Sequence, residues 1–317
     1  MNSTAELISV VVTNYNHASY LDQRIESLLA QTYPNLEIII VDNCSIDNSL
    51  DVLRKYNKYK NVQVFALPNN TGFVKSSNYG VSMSRGNFFI FAEADDYNAP
   101  AQIELLYKAM ASNENIGGAF CQSFIVDDQN KIIDQDFKSR DRFLREYCST
   151  DTFIPGPLAH RLLLFSFIIP NFSAVLIRRK YFDLAGGLMN HKACPEWDFW
   201  FRMSRVCDLY YLTTPLNYYR QHDRSYMSLL GIESAIVGIM EVLYTEARKS
   251  GLTFGQWIQF RINIGVIWGR YRKPSPEAWW NSFPSIWRQS LKYDQLSLVF
   301  LILAFFKRGM ERMVGRA

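Results

Sequence analysis

The chain has 317 residues, of which 48% are hydrophobic and 20% charged, with a formal net charge of +4. That length and apolar content suffice for a large buried core in one large or two modest domains, which excludes a disordered tail or a fibre. So small a net charge excludes a general electrostatic field for nucleic acid, and no nucleic-acid partner is expected.

In chain order, residues 7–12 form a short β-branched run that reads as a strand. Residues 20–30 read as a helix with Leu21, Ile25, Leu28 and Leu29 on one face. A second buried strand is predicted over 37–41, then a helix over 47–56 with a cap in the 45–47 region. A strand over 62–67, a helix over 73–84 closed by Gly86, and a strand over 87–91 follow. Pro100 opens another helix at a position that tolerates proline. This alternation predicts a mostly parallel sheet with crossover helices. Further on, strands are expected over 118–126 and 172–177, with a turn at 127–130 and a loop-rich stretch to about residue 170. A helix over 196–204 and a strand with extended chain over 209–220 come next, and the pattern is helical from Ser225.

Five cysteines (Cys44, Cys121, Cys148, Cys194, Cys207) form an odd, widely spaced set without a CxxC pair. Reduced thiols in a cytoplasmic protein are expected, not a zinc site or disulfide framework. The first residues carry no basic segment and only a short apolar run, so a secretory signal is not expected.

In open α/β sheets ligands bind beyond the carboxyl ends of the strands. The first strand ends in Thr13-Asn14-Tyr15-Asn16, the second in Asp42-Asn43, and the fourth in Glu93-Ala94-Asp95-Asp96. Glu93, Asp95 and Asp96 would repel one another unless a cation sat among them; Mg²⁺ or Mn²⁺ binds through one or two carboxylates plus water and diphosphate oxygens. The competing reading is a solvated turn whose acids favour the next helix N-terminus. No glycine follows the first strand, which removes a dinucleotide fingerprint, and no P-loop occurs.

These blocks resemble the inverting family 2 glycosyltransferases of GT-A fold, of the kind that build bacterial envelope polysaccharides. The resemblance runs through Val10-Val11-Val12-Thr13-Asn14-Tyr15-Asn16, Ser27-Leu28-Leu29-Ala30-Gln31-Thr32-Tyr33, and Glu37-Ile38-Ile39-Ile40-Val41-Asp42 with Ser45 and Asp47. It continues through Asn69-Asn70-Thr71-Gly72, Asn78, Arg85-Gly86-Asn87 and the 93–96 cluster, then Glu196-Trp197-Asp198 to Arg202, and Tyr219-Arg220-Gln221-His222. It implies a nucleotide-diphospho-sugar transferase fold, Rossmann-like and flanked by helices, over residues 1–228, with a helical region over 229–317. It also implies that Thr13, Asn16, Asp42, Asn78 and Asp95 bind the nucleotide-sugar donor, UDP-linked by preference. Glu93, Asp95 and Asp96 would hold Mn²⁺ or Mg²⁺. His222 is either a further metal or diphosphate contact or a surface histidine in a polar loop.

Catalysis needs a carboxylate that takes a proton from the acceptor hydroxyl. The resemblance gives that role to Glu196, with Asp198 in reserve. The sequence departs from the family at Glu93, Asn43 and Glu196, where aspartate is usual. The processive QxxRW signature does not occur, so transfer of one sugar is expected. A sugar nucleotidyltransferase, and a non-catalytic binder of nucleotide sugars or carbohydrate, are the competing readings.

Residues 231–317 hold five of the seven tryptophans and twelve basic residues against six acidic ones. With the apolar run 296–306, too short to span a bilayer, they suggest an interfacial segment on an anionic membrane. That predicts a peripheral protein at the inner face of the plasma membrane, working on a lipid-linked or oligosaccharide acceptor. A helical subdomain packing its tryptophans inward, or a homo-oligomer contact, is the alternative.

Overall fold

The computed structural model describes residues 5–135, 144, 146–190, 194–222, 232–271, 276–296, 299 and 302–303. Strands β1 (Ile8–Asn14), β2 (Leu36–Asp42), β3 (Val62–Ala66) and β4 (Phe88–Glu93) lie in the order β3-β2-β1-β4, all parallel. Helices α1 (Ala18–Leu29), α2 (Ser49–Arg54) and α3 (Phe73–Met83) make the crossovers that parallel pairing requires. Val10, Val11 and Val12 are all fully buried, so both faces of β1 are covered. That is why its sequence is a continuous apolar run without alternation. Helix α3 lies so close that a Cβ added to Gly80 would sit 2.3 Å from Val11 Cγ1.

The second half reverses direction once. Strand β9 (Val175–Arg178) is antiparallel to both β4 and β6 (Ile116–Val126), and the long β10 (Asp208–Arg220) is parallel to β6. Six strands, β1 to β4 with β6 and β10, therefore end at one edge of the sheet. The chain leaving β10 consequently arrives beside the loop leaving β4. Three short strands complete the sheet: β5 (Tyr97–Asn98) and β8 (Thr152–Ile154) pair with β10, and β7 (Ile132–Gln135) with β6. Helices α4 (Gln102–Ala111), α5 (Gly156–Phe165), α6 (Arg179–Leu184) and α7 (Pro195–Met203) intervene.

The end of the sheet away from the strand carboxyl termini is tied by a buried carboxylate. Glu37 Oε1 accepts from Ser9 Oγ (2.7 Å) and Arg85 N (2.6 Å), and Oε2 accepts from Arg85 Nε (3.0 Å). The Arg85-Gly86-Asn87 block is thus the turn between α3 and β4, anchored by charge-assisted hydrogen bonds.

The first four strands and the helices between them fall where the sequence puts them. The expected loop to residue 170 instead contains β8 and α5. Strand β7 escapes sequence reading because Ile132 and Ile133 are both exposed and show no alternation. The strand expected over 172–177 opens with a 3-10 turn over Phe172–Ala174 and becomes extended at Val175.

The described chain divides into two compact units. One, residues 1–160, 166–190 and 199–222, contains all ten strands; the other is 161–165, 191–198 and 223–317. In the second, α8 (Ile232–Lys249), α9 (Phe254–Tyr271) and α10 (Pro276–Ser290) pack around Tyr244, Phe260, Trp268 and Ile286. Trp268 is buried and its Nε1 donates to Met240 Sδ at 3.1 Å, whereas Trp280 is 53% exposed. Most of the apolar run 296–306 lies outside the described residues. Among the described residues no helix is long and apolar enough to cross a membrane.

Candidate active site

The acidic loop after β4 is held by two buried arginines. Arg24 stands on the same face of α1 as Leu21, Ile25 and Leu28, and is itself fully buried. Its Nε donates to Glu93 O (2.8 Å), one terminal nitrogen to Asn98 Oδ1, and the other to Ser173 Oγ (3.0 Å). Ser173 Oγ also accepts from Glu93 N at 3.0 Å. From the other side Arg220, the last residue of β10, donates from Nε to Asp95 O (2.8 Å) and from its backbone N to Asp96 Oδ1 (3.0 Å). Its terminal nitrogens reach Asp127 O, Gln23 Oε1 and Asn130 Oδ1. Guanidinium groups supply a planar fork of donors, so the loop is gripped largely by its carbonyls and its carboxylates are presented in a set geometry.

Within that grip the three acids part company. Burial and the neighbouring Asp95 charge push the Asp96 carboxyl up to about 7, against the opposing charge of Arg24. Burial also acts to raise Asp95, but the hydrogen bond from His222 and the charges of His17 and His222 outweigh it, holding that carboxyl below the usual range. His222 Nε2 lies 2.8 Å from Asp95 Oδ2, and this bond raises the imidazole above its ordinary value. The His222 side chain is only 3% exposed. It stacks on Tyr20 (5.4 Å between centroids, 29° between planes) and meets His17 edge-on at 5.6 Å. The structure thus brings Asp95 and His222 together, adds His17, and leaves Glu93 and Asp96 outside that cluster of ligand atoms.

The neighbouring edge, at the ends of β1 and β2, is a network around Asp42. Its Oδ1 accepts from Asn14 Nδ2 (2.7 Å) and Ser45 Oγ (2.6 Å), and its Oδ2 from Ser45 N (3.0 Å). Asn16 bridges to the same loop, its N donating to Ser45 Oγ (3.0 Å) and its Oδ1 accepting from Ile46 N (2.8 Å). Asn16 and Cys44 both have φ in the left-handed region, at 59° and 65°. Such conformations in non-glycine residues are uncommon and gather at functional sites. Thr13 lies half-buried on β1, in register with Glu93 on β4. The Asn78 side-chain amide is engaged locally, pairing with the backbone of Leu188 in both directions, at 2.8 and 3.2 Å.

Glu196 and Asp198 occupy the first turn of α7 behind Pro195, both half-buried. The helix is anchored by Phe199, Trp200 and Phe201, all essentially inaccessible. Further along, Arg202 donates to the carbonyls of Ala185 and Gly187.

Sequence reading missed Arg24, Ser173, Asn98 and His17, and gave Arg220 no role. For Arg24 a signal existed: it stands one helical turn from Leu21 and Leu28, a charge on the apolar stripe of an amphipathic helix, which demands partners. Ser173 carries no such mark, because its position depends on a 3-10 turn that periodicity does not reveal.

A mixed, mostly parallel sheet with carboxylate and imidazole groups gathered on its carboxyl edge defines an α/β enzyme of the GT-A type. The chain belongs to glycosyl transferase family 2, whose family model matches residues 9–183. A glycosyltransferase of Haemophilus influenzae is 28% identical over 233 residues, covering 72% of this chain and 69% of that protein. Among solved structures, S. aureus TarS in complex with UDP-GlcNAc superposes with a TM-score of 0.64 at 16% identity, over 95% of this chain and 92% of that one. The mannosyltransferase PcManGT of Pyrobaculum calidifontis, in complex with GDP-Man and Mn²⁺, gives 0.58 at 14% identity, over 96% and 87%. At these identities the structural likeness establishes the fold. The family match establishes a glycosyltransferase.

Proposed function

We propose that the chain transfers one sugar, with inversion, from a nucleoside diphosphate sugar to a lipid-linked or saccharide acceptor in envelope polysaccharide assembly, with UDP as the favoured nucleotide. The observation that carries this reading is the 2.8 Å pairing of Asp95 with His222 on a loop clamped by Arg24 and Arg220, at the carboxyl edge of the sheet. A depressed carboxylate beside imidazole nitrogens is a donor set suited to a divalent cation. When bound there, a cation such as Mn²⁺ or Mg²⁺ supplies charge neutralisation for a departing nucleoside diphosphate. The UDP-GlcNAc complex of TarS and the Mn²⁺ complex of PcManGT support donor and metal by analogy.

Asp42, Thr13 and Asn16 form the nucleotide side. Among the described residues Asp42 Oδ2 receives one protein donor, Ser45 N, and a carboxylate oxygen can accept more than one hydrogen bond. That spare acceptor faces the base N–H in this reading. Glu196 takes the proton from the acceptor hydroxyl, with Asp198 as its alternate. Leu296, Val299 and Ile302, each about half exposed, together with Trp280 support docking on a membrane that carries the acceptor.

The test is release of nucleoside diphosphate from a panel of nucleotide sugars, with and without Mn²⁺, by the wild type and by Glu196→Gln and Asp198→Asn. Hydrolysis of one donor only in the presence of metal, with acceptor transfer lost in Glu196→Gln, is the expected result. Metal-independent cleavage, or nucleotide triphosphate consumption in place of sugar release, would overturn it.

A further inference from the structure

We infer that His17 is a third protein ligand of the cation site. The inference rests on the metal-dependent reading above and goes beyond it by adding a ligand. Among the described residues, one group of three side chains brings ligand atoms mutually within 4.8 Å: His17, Asp95 and His222. The closest pair, Asp95 Oδ2 and His222 Nε2, is 2.8 Å apart. Adjacent ligand atoms around an octahedral ion with bonds of about 2.1 Å lie about 3 Å apart, so this edge is already at coordination spacing. His17 places a third ligand atom within 4.8 Å of both.

The chain is shaped to deliver His17 there. Asn16 takes the left-handed conformation at the end of β1, held by Ser45 Oγ and the Ile46 amide, and Ala18 N donates to Asp47 Oδ2 at 3.0 Å. His17 sits between these anchors at the N-cap position of α1, yet its side chain makes no capping hydrogen bond. A residue in that place ordinarily caps the helix with a short oxygen-bearing side chain. An imidazole directed instead toward Asp95 and His222 is better explained by the cluster than by the helix.

Two imidazoles and one carboxylate make a different site from the three acids and one histidine, Glu93, Asp95, Asp96 and His222, that the sequence reading puts at the metal. A facial set of two histidines and one carboxylate leaves three coordination positions, enough for diphosphate oxygens and water.

The experiment is Mn²⁺ titration of the full chain in the presence of UDP, with pulsed EPR of the bound Mn²⁺ to count imidazole nitrogens. It compares the wild type with His17→Ala and His17→Glu, and thermal midpoints check that each variant is folded. Two coupled imidazoles in the wild type and one in His17→Ala are expected. Mn²⁺ binding should weaken on the order of 10- to 100-fold in His17→Ala, the range for disturbing a metal's ligand environment. His17→Glu, which restores a ligand as oxygen, should recover Mn²⁺ binding. A single imidazole in the wild type, with Mn²⁺ affinity unchanged in His17→Ala, would overturn the inference and leave the metal-dependent reading standing. No Mn²⁺ binding by the wild type would remove both.

Discussion

Both units of the molecule bury an acid against a base, and they do so to opposite ends. In the helical unit Asp294 Oδ2 lies 2.7 Å from Arg261 Nε as an ion pair and accepts from Tyr244 Oη at 3.0 Å. Asp294 thereby draws its neighbours into a closed group within a bundle. In the strand-built unit Asp95 faces His222 at 2.8 Å, and Arg220 donates to its carbonyl instead of its carboxylate. Arginine is a permanent cation and cannot give up a proton to make room for a ligand. Imidazole can. A buried ion pair by itself therefore marks stability or function indifferently. What separates the two is the chemistry of the basic partner and its position beyond the strand ends.

The sharpest way to break this comparison is to exchange the consequences. Asp95→Ala should reduce metal-dependent turnover by about two to four orders of magnitude, the scale of losing a preorganised electrostatic group, while the thermal midpoint moves little. Asp294→Ala should do the reverse. Removing one member of a buried pair leaves the other uncompensated, at a cost of about 3 to 5 kcal/mol when burial is complete. Arg261 is 27% exposed at its side chain, so about 2 to 3 kcal/mol is expected, read by denaturant unfolding, with turnover per folded molecule retained. Equal loss of activity in both variants would erase the distinction.

Arg24 should show both effects at once. Arg24→Met keeps the volume of the apolar stripe but strips donors from Glu93 O, Asn98 Oδ1 and Ser173 Oγ, and removes the counter-charge of Asp96. A stability loss of about 2 to 4 kcal/mol together with weakened metal binding is expected. Stability loss alone would mean that the clamp does not position Asp95.

The smallest effect sits farthest from the site. Burial acts to raise Glu37, but hydrogen bonds from Arg85 N, Ser9 and the Arg85 guanidinium more than offset it, so its folded pKa lies below the ordinary value. A depressed carboxylate stabilises the fold above the unfolded pKa, and that contribution disappears as pH falls through the folded one. Glu37→Gln should therefore cost about 1 to 2 kcal/mol near neutral pH and flatten the acid limb of stability against pH, leaving metal affinity intact.

The sequence made the first half of the fold legible because β1, β2 and β4 are buried on both faces and the helices between them carry one apolar stripe each. It was less legible from 131 to 170, where β7 exposes its isoleucines and β8 is three residues long. At the site, the strand-end rule located Asp42 and Asp95 correctly on one edge, because that rule needs only the ends of apolar runs. It could not separate Asp95 from Asp96, which adjoin in sequence but face different cations: Asp95 meets the two imidazoles, while Asp96 lies near Arg24 and accepts from the Arg220 backbone. Nor could periodicity reveal that β9 reverses the sheet and so brings β10, ending in Arg220 with His222 just beyond, to the acidic loop.

The most direct test of the central claim is equilibrium binding of UDP to the full chain with and without Mn²⁺, in the wild type and in Asp95→Ala. Mn²⁺ is expected to tighten UDP binding to the wild type by at least about tenfold and to leave Asp95→Ala unchanged. UDP binding that is indifferent to Mn²⁺ in the wild type, or equally enhanced in Asp95→Ala, would contradict it.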